Sequence, residues 1–166
     1  MISREPIADR RIDRTHSAIF AAFRTLVHTV RYDEIRVQDI IEEANVGRST
    51  FYAHFQSKDD VLLTSIEPLF AVIADTVSGK QREEDLAFVL EHFWEQRSFA
   101  RIIFSGPLYF KLSDKLADMI AERSSSSLSS IGTAAEILGI LKAWLAGRVP
   151  SNVGEIAAHL TALNRR

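Results

Sequence analysis

Apolar residues recur at spacings of three and four along nearly the whole chain, which is the pattern of amphipathic helices. The first such run covers residues 9–30, and a second, short run covers residues 37–44. Asn45 follows the second run and tolerates the left-handed backbone that ends helices, so it is the predicted turn residue. Residues 47–55 are long enough for about two further helical turns. No segment alternates apolar and polar residues for long enough to predict a strand.

Start and stop signals outline the later helices. Ser57, followed by two acids, predicts the N-cap of a fourth helix that ends before Gly79. Pro68 lies inside this helix and should kink it. Ser98 is the predicted cap of a later, short helix. The serine-rich segment 124–130 is predicted to be a loop or a frayed helix joint, because serine competes with helical hydrogen bonds. The further predicted helices are 82–97, 98–107, 108–123, 131–146 and 152–163. The chain is therefore predicted to be all-α, with about nine helices.

Composition excludes several kinds of site. The 166 residues are 46% hydrophobic and 25% charged, which is ordinary for a globular protein of one domain or two small ones. There is no cysteine, so disulfides, thiolate metal sites and cysteine nucleophiles are excluded. The five histidines do not fall at ligand spacing, and no metal site is expected. No apolar run approaches the roughly 18 residues needed to span a bilayer, so we expect a cytoplasmic protein without a membrane partner.

One stretch of this mildly acidic chain, residues 45–58, is rich in hydrogen-bond donors. The net charge of −2 means that an anionic partner has to be met by a local patch. Residues 45–58, "NVGRSTFYAHFQSK", contain no acid. Together with the preceding short helix they have the form of a helix-turn-helix, whose second helix enters the DNA major groove. In that interpretation the first turn of the third helix points at base edges, and its free amide groups favour a phosphate.

Each side chain of this stretch has an expected role. Tyr52 and His54 could donate hydrogen bonds to phosphate oxygens, and Lys58 adds a charge without base preference. Phe51 and Phe55 should instead be core residues. Helix-turn-helix geometry also occurs in proteins that bind no DNA, and Tyr52 and His54 would then be packing or solvent-exposed residues. The spacing of the residues leaves both interpretations open.

The run "VQDIIEEANVGRSTFYAHFQSKDDVL", preceded by "AIFAAFRTLVHTVRYDEI", resembles the N-terminal DNA-binding domain of the tetracycline-repressor (TetR) family. The resemblance covers roughly residues 10–63 and rests on a signature order: Ala44, Val46, Thr50, Phe51, Tyr52, His54, Phe55, Lys58. It implies a three-helix DNA-binding domain over residues 1–57 and a helical effector-binding and dimerisation domain over 58–166. It also implies a set of DNA-binding residues: Arg36, Gly47, Arg48, Ser49, Thr50, Tyr52, His54 and Lys58.

Four positions depart from the family pattern. Arg36 replaces a usual threonine that caps the second helix; an arginine can still reach a phosphate, but the cap is lost. Ile41 replaces a usual alanine. Asn45 replaces a usual turn glycine, and Gly47 replaces a usual capping serine. Both of these last residues suit their positions, because asparagine tolerates the turn conformation and glycine is an acceptable N-cap.

Resemblance also suggests roles for the rest of the chain. An aromatic-rich region is a candidate pocket for a small hydrophobic effector, with an ordinary core as the competing interpretation. The candidate ligand-binding residues are His92, Phe93, Trp94, Phe104 and Tyr109. The helix over 131–146 is apolar on two sides and must bury both, which predicts a homodimer built mainly by residues 131–163. The candidate interface residues are Ile131, Leu138, Leu141, Trp144, Ile156 and Leu160.

The resemblance favours a DNA-binding transcriptional regulator, a repressor that binds a palindromic operator as a homodimer and is released by a small-molecule effector. Catalysis is not expected, because no glycine-rich phosphate loop or nucleophile elbow is present, and no cofactor is implied. Asp114 and Asp118 alternate with lysines and indicate a solvated face. The alternative is a helical protein-interaction module, or a family member that has lost DNA or effector binding.

Overall fold

Helices make up the regular structure throughout the part of the chain that the computed structural model describes, residues 7–80, 82–106, 108–124 and 127–163. Side chains of residues 7–11 and 127 are not described. Within these ranges there are nine helices and no strand, which confirms the predicted fold class. The helices are α1 (Ile7–Thr29), α2 (Val37–Glu43), α3 (Arg48–Tyr52), α4 (Lys58–Val77), α5 (Glu83–Glu95), α6 (Arg97–Ile103), α7 (Leu108–Ala121), α8 (Ser127–Leu145) and α9 (Val153–Ala162).

The chain divides into two compact units, Met1–Ser65 and Ile66–Arg166. The division falls inside α4, whereas the sequence placed the functional boundary after residue 57, at the start of that helix. The predicted boundary therefore stays a prediction. Residues 1–6 of the predicted DNA-binding domain, the predicted helix stop at Pro107, and residues 125 and 126 of the serine segment lie outside the described residues.

Three helix ends share one hydrogen-bond arrangement. Asn45 has a φ of 50°, as its position predicted. Its N–H donates to Glu42 O at 3.1 Å, and the Val46 N–H donates to Ile41 O at 3.2 Å. These two bonds satisfy carbonyls that α2 leaves free at its end. Glycines with a φ of 73° end α4 and α8 with the same pair of bonds.

Helix starts agree with the sequence at two places and differ at two. Ser57 Oγ accepts from the Asp60 N–H at 3.2 Å, as predicted. The helix predicted over residues 152–163 begins at Val153, with Asn152 as its N-cap. Ser98 was predicted to cap α6, but the helix begins at Arg97 and Gln96 holds the N-cap position. The predicted loop at 124–130 is also shorter than expected, because α8 begins at Ser127. Ser130 lies buried inside that helix, and its Oγ is 3.1 Å from Ser124 Oγ.

The second unit is built on two helix pairs. α7 packs along α8, and α5 packs against α9. An ion pair links α4 to the C-terminal end of α7, with Arg123 Nε 2.6 Å from Asp75 Oδ1. Trp144 is 1% exposed; its ring stacks on Trp94 with centroids 5.0 Å apart, and its Nε1 donates to Ser151 O at 2.8 Å. Trp144 therefore joins α5, α8 and the segment before α9.

The outward face of α8 differs from the face that the sequence predicted for a dimer. Ile131 is 58% exposed, but the other predicted interface residues are no more than 4% exposed. These buried side chains are Leu138, Leu141, Trp144, Ile156 and Leu160. A side chain that is buried within its own chain has no surface to offer to a partner. These five residues form the core of the second unit, and a dimer has to use the opposite faces of α8 and α9.

One helix is more apolar than the sequence analysis expected. Leu128–Leu145 is long and apolar enough to cross a membrane by length and composition, although no such run was predicted. The core helix of a soluble protein meets the same criterion. Leu138 and Leu141, in the middle of this segment, are fully buried against the protein itself.

Trp144→Ala should destabilise the second unit by about 3–5 kcal/mol, because it removes a buried ring and leaves a cavity. Urea unfolding followed by far-ultraviolet circular dichroism measures this without relying on tryptophan fluorescence. Trp94→Ala is the control: its ring is 38% exposed, and its loss should cost only about 1–2 kcal/mol. Equal costs for the two variants would show that Trp144 is not the centre of this core.

Candidate nucleic-acid interface

The third helix is fixed by two buried phenylalanines. Phe51 is fully buried and Phe55 is 2% exposed, and their ring centroids are 5.8 Å apart. This confirms the prediction that both are core residues. With five residues, α3 is too short to be stable by itself, so this packing has to hold it in place. The opposite side of α3 is consequently presented to solvent in a defined orientation.

The solvent-facing side of α3 is rich in hydrogen-bond donors. Arg48 and Ser49 are exposed, Tyr52 is 38% exposed, and α3 contains no acid. The Arg48 Cζ lies 5.7 Å from the centre of the Tyr52 ring. Arg48 is exposed, and its guanidinium N–H groups can donate to an acceptor. Such side chains suit base edges and phosphate oxygens.

Gly47 and Thr50 complete the start of this helix. Gly47 has an extended backbone at the N-cap position, and its carbonyl accepts from the Phe51 N–H at 2.9 Å. A Cβ built at Gly47 would lie 3.4 Å from the half-buried Thr50 Oγ1, an ordinary contact distance. A larger residue would therefore fit at position 47 without a steric clash.

Arg36 holds the N-cap position of α2 without a side-chain cap, as the sequence suggested, and Asp39 binds back to it. Asp39 Oδ2 accepts from the Arg36 N–H at 2.8 Å, while Oδ1 accepts from the guanidinium at 2.7 Å. These hydrogen bonds, first the one from the guanidinium, hold the pKa of Asp39 below its usual value. The Arg36 side chain is still 77% exposed, so it can meet a phosphate while paired.

Lys58 is not the free surface charge that the sequence predicted. Its Nζ donates to the main-chain carbonyls of Tyr32, Asp33 and Ile35, the last two at 3.3 and 2.8 Å. The same Nζ lies 4.7 Å from the centre of the Tyr32 ring. Tyr32 in turn donates its hydroxyl to Asp59 Oδ1 at 2.6 Å. Burial, together with this bond to a carboxylate, raises the pKa of Tyr32.

His54 also lies against its own protein. Its ring meets the edge of His16 in α1 with centroids 5.0 Å apart, and His16 is equally close to Phe55. Within the described residues, His16 Nε2 is buried without a hydrogen-bond partner. Burial lowers the pKa of His16, the neighbouring His54 lowers it further, and Asp13 opposes both. Sequence spacing gave no sign of this pair, because its members come from different helical segments.

Of the five predicted ligand-binding residues, two are buried, two are exposed and one is half-buried. Phe93 and Phe104 are buried and pack on each other with centroids 5.5 Å apart, as the core interpretation expected. Trp94 stacks on Trp144. His92 is exposed, and the half-buried Tyr109 lies with its ring centre 5.2 Å from the Lys142 ammonium.

Among the described residues, no three histidine, aspartate or glutamate side chains are grouped to bind a metal ion.

Comparison with known proteins agrees with this geometry. Residues 17–64 match the family model of bacterial regulatory proteins of the tetR family. The transcriptional regulator EthR of Mycolicibacterium smegmatis is 42% identical over 57 residues, which are 34% of this chain and 26% of EthR. A solved TetR transcriptional regulator from Streptococcus agalactiae is 28% identical, with a TM-score of 0.58 over 96% of this chain and 98% of that one. The N-terminal segment of this chain, residues 17–64, is therefore a domain of the tetR family of bacterial regulatory proteins.

The chain covers between about a quarter and a half of the length of the curated relatives that it matches. The dhaKLM operon transcriptional activator DhaS of Lactococcus lactis is 32% identical over 91 residues, which are 54% of this chain and 49% of DhaS. The aligned segments thus span about a quarter of EthR and half of DhaS. The matched region contains the whole of α2 and α3. It also contains the two exposed arginines, Arg36 at the N-cap of α2 and Arg48 in α3.

Acidification should loosen the packing between α1 and α3. Because the pKa of His16 is lowered in the folded state, protonation favours the unfolded state. The contribution of His16 to stability is therefore complete above the unfolded pKa of about 6.5 and is lost as the pH falls below it. We expect amide exchange in α1 and residues 48–55, corrected for intrinsic rates, to accelerate between about pH 7.5 and 5.5.

His16→Phe should remove most of this acceleration, and His28→Phe, at an exposed position of α1, should not. Mass spectrometry of exchanged peptides is the suitable measurement, because both tryptophans, Trp94 and Trp144, lie in the second unit. The same pH response in wild type and His16→Phe would rule out His16 as its source.

Proposed function

We propose that this chain is a cytoplasmic transcriptional repressor of the TetR family that binds a palindromic DNA operator as a homodimer and is released by a small-molecule effector. The observation that carries the proposal is the acid-free outer face of α3, fixed from below by Phe51 and Phe55. A rigid helix with arginine, serine and tyrosine on its open side suits the major groove of DNA.

Each exposed side chain has a different task in this proposal. Arg48 can donate two parallel hydrogen bonds to a guanine edge, which is the commonest specific contact to DNA. Tyr52 donates to a phosphate beside the groove, and Arg36 meets the backbone from the start of α2. Gly47, Ser49 and Thr50 lie within the same short segment, where close approach of the main chain is possible.

The proposed dimer uses the outward faces of α8 and α9, which carry small residues. Gly132 and Ala135 are exposed on α8, and Gly139 and Ala143 are half-buried further along it. A Cβ built at Gly132 or Gly139 would meet no atom within 4 Å, so these positions are open. Ala158 and Ala162 are exposed on α9. Two copies of such a surface can bring helix backbones close together, and exposed Leu128 and Ile131 add apolar area at one end.

A two-fold dimer explains why the operator should be palindromic. It presents two copies of α3, and these reach successive major grooves when their separation is about 34–36 Å. An effector releases the DNA only if it binds a conformation with another separation more tightly. This part of the proposal rests on the likeness to the tetR family, since two of the five predicted effector residues are buried in the core and two are exposed.

A second candidate is a family member that has lost DNA binding. Two observations favour it: His54 packs against His16, and Lys58 is bonded to main-chain carbonyls, so two of the predicted DNA contacts are engaged within the protein. Substitution of exposed residues distinguishes the two candidates. DNA affinity depends on Arg36, Arg48 and Tyr52 only if the protein binds DNA.

Arg48→Ala and Tyr52→Ala should each weaken binding to a mixed-sequence duplex at least about threefold at low salt, because each removes a donor to the DNA. Fluorescence anisotropy with a labelled duplex measures the affinity. Arg101→Ala is the matched control: it removes an exposed arginine from α6, in the other unit, and should leave the affinity within about twofold. Equal losses at Arg48 and Arg101, or no binding by the wild type, would contradict the proposal.

Gly139→Arg should convert the dimer to a monomer without unfolding the protomer. The new side chain has open space in the single chain, and arginine favours a helix over glycine by about 1 kcal/mol. Sedimentation velocity at micromolar concentration measures the assembly, and circular dichroism checks the fold. Asp114→Arg, at an exposed position of α7, should leave the dimer intact. A monomeric wild type, or a dimeric Gly139→Arg, would exclude this interface.

A further inference from the structure

Lys58 begins α4, and its ammonium points at the loop between α1 and α2. The three carbonyl oxygens that accept from it belong to Tyr32, Asp33 and Ile35, all within that loop. The next residue, Asp59, accepts from the Tyr32 hydroxyl at 2.6 Å. Two successive residues of α4 therefore bind the same loop through four hydrogen bonds.

We propose that Lys58 is a positioning residue for DNA binding: it fixes the loop that carries Arg36 and does not contact the DNA itself. The proposal rests on the DNA-binding function proposed above. It differs from the role that the family resemblance implies for this lysine, which is a direct phosphate contact.

The number of donors supports this role. An ammonium group has three N–H donors and no acceptor. Three carbonyl oxygens already accept from Lys58, so a phosphate contact would have to replace at least one of them. Carbonyl oxygens that converge on one point carry like partial charges, and loss of the cation would leave them unpaired. The Tyr32 ring covers the same ammonium at 4.7 Å, which further limits access to it.

The position of the loop determines where Arg36 begins α2. The Ile35 carbonyl, which accepts from Lys58 at 2.8 Å, belongs to the peptide unit that joins Ile35 to Arg36. Ile35 itself is 2% exposed and anchors the same point in the core. Arg36 then extends outward, with its side chain 77% exposed. A displacement of this carbonyl would therefore move the N-cap of α2 and the guanidinium together.

Lys58→Arg separates positioning from direct contact. Arginine keeps the charge and binds phosphates well, but its planar guanidinium cannot direct three N–H groups at three converging carbonyls. A positioning role predicts that Lys58→Arg weakens binding to a labelled duplex at least about threefold, and Lys58→Met at least as much. A direct contact predicts unchanged or tighter binding by Lys58→Arg. Lys80→Met, which removes an exposed lysine from the second unit, is the matched control and should bind within about twofold of wild type.

Coupling to Arg36 provides a second readout. If Lys58 acts through the loop, Arg36→Met should weaken binding much less in the Lys58→Met background than in wild type. Two independent phosphate contacts would instead give additive losses, and each would reduce the slope of log affinity against log salt by about one per protomer. Additive losses with that change of slope would overturn the proposal.

Amide exchange in the protein without DNA tests directly whether Lys58 holds the loop between α1 and α2 in place. Lys58→Met and Lys58→Arg should both accelerate exchange in residues 31–39 relative to wild type and Lys80→Met, while exchange in α8 stays unchanged. Unchanged exchange in residues 31–39 would overturn the positioning role. If the wild type bound no duplex at all, the proposed function would fail, whereas accelerated exchange would still show that Lys58 positions the loop.

Discussion

Burial of Phe51 and Phe55 is the constraint on which the rest of the N-terminal unit depends. A five-residue helix forms too few internal hydrogen bonds to persist in water, so its position is determined by the side chains that it buries. The two rings point into the core, whereas Tyr52 between them and Arg48 at the N-terminal end of the helix are exposed to solvent. The Asn45 turn, with its positive φ, sets the angle at which this helix leaves α2. Orientation of the donor-rich face is thus a consequence of core packing.

The predicted DNA-binding residues with nitrogen-containing side chains fall into two groups. Arg36 and Arg48 extend outward, one paired with Asp39 and the other stacked on Tyr52, and both keep donors free for an anion. Lys58 turns inward, to the carbonyls of the α1–α2 loop. His54 likewise faces His16. The predicted DNA-binding residues therefore have two different surroundings: Arg36 and Arg48 are exposed, whereas Lys58 and His54 contact their own protein.

Sequence analysis predicted the features that depend on local rules. Helix positions followed from the spacing of apolar residues, and the conformation of Asn45 and the cap at Ser57 followed from turn and capping preferences. It could not predict the partners of Lys58 or the His16–His54 pair, because these contacts join distant segments. On α8, apolar residues surround the helix, so periodicity could not distinguish its inner side from its outer side. Burial places Leu138 and Trp144 inside and leaves Gly132 and Ala135 outside.

The central claim is that two copies of the outward face of α3 read DNA together. Selection of bound sequences from a random pool of duplexes, carried out with the full chain, tests it most directly. We expect enrichment of one inverted repeat whose half-sites are about one helical turn apart, centre to centre. Recovery of no preferred sequence, or of a single half-site without its repeat, would contradict the claim.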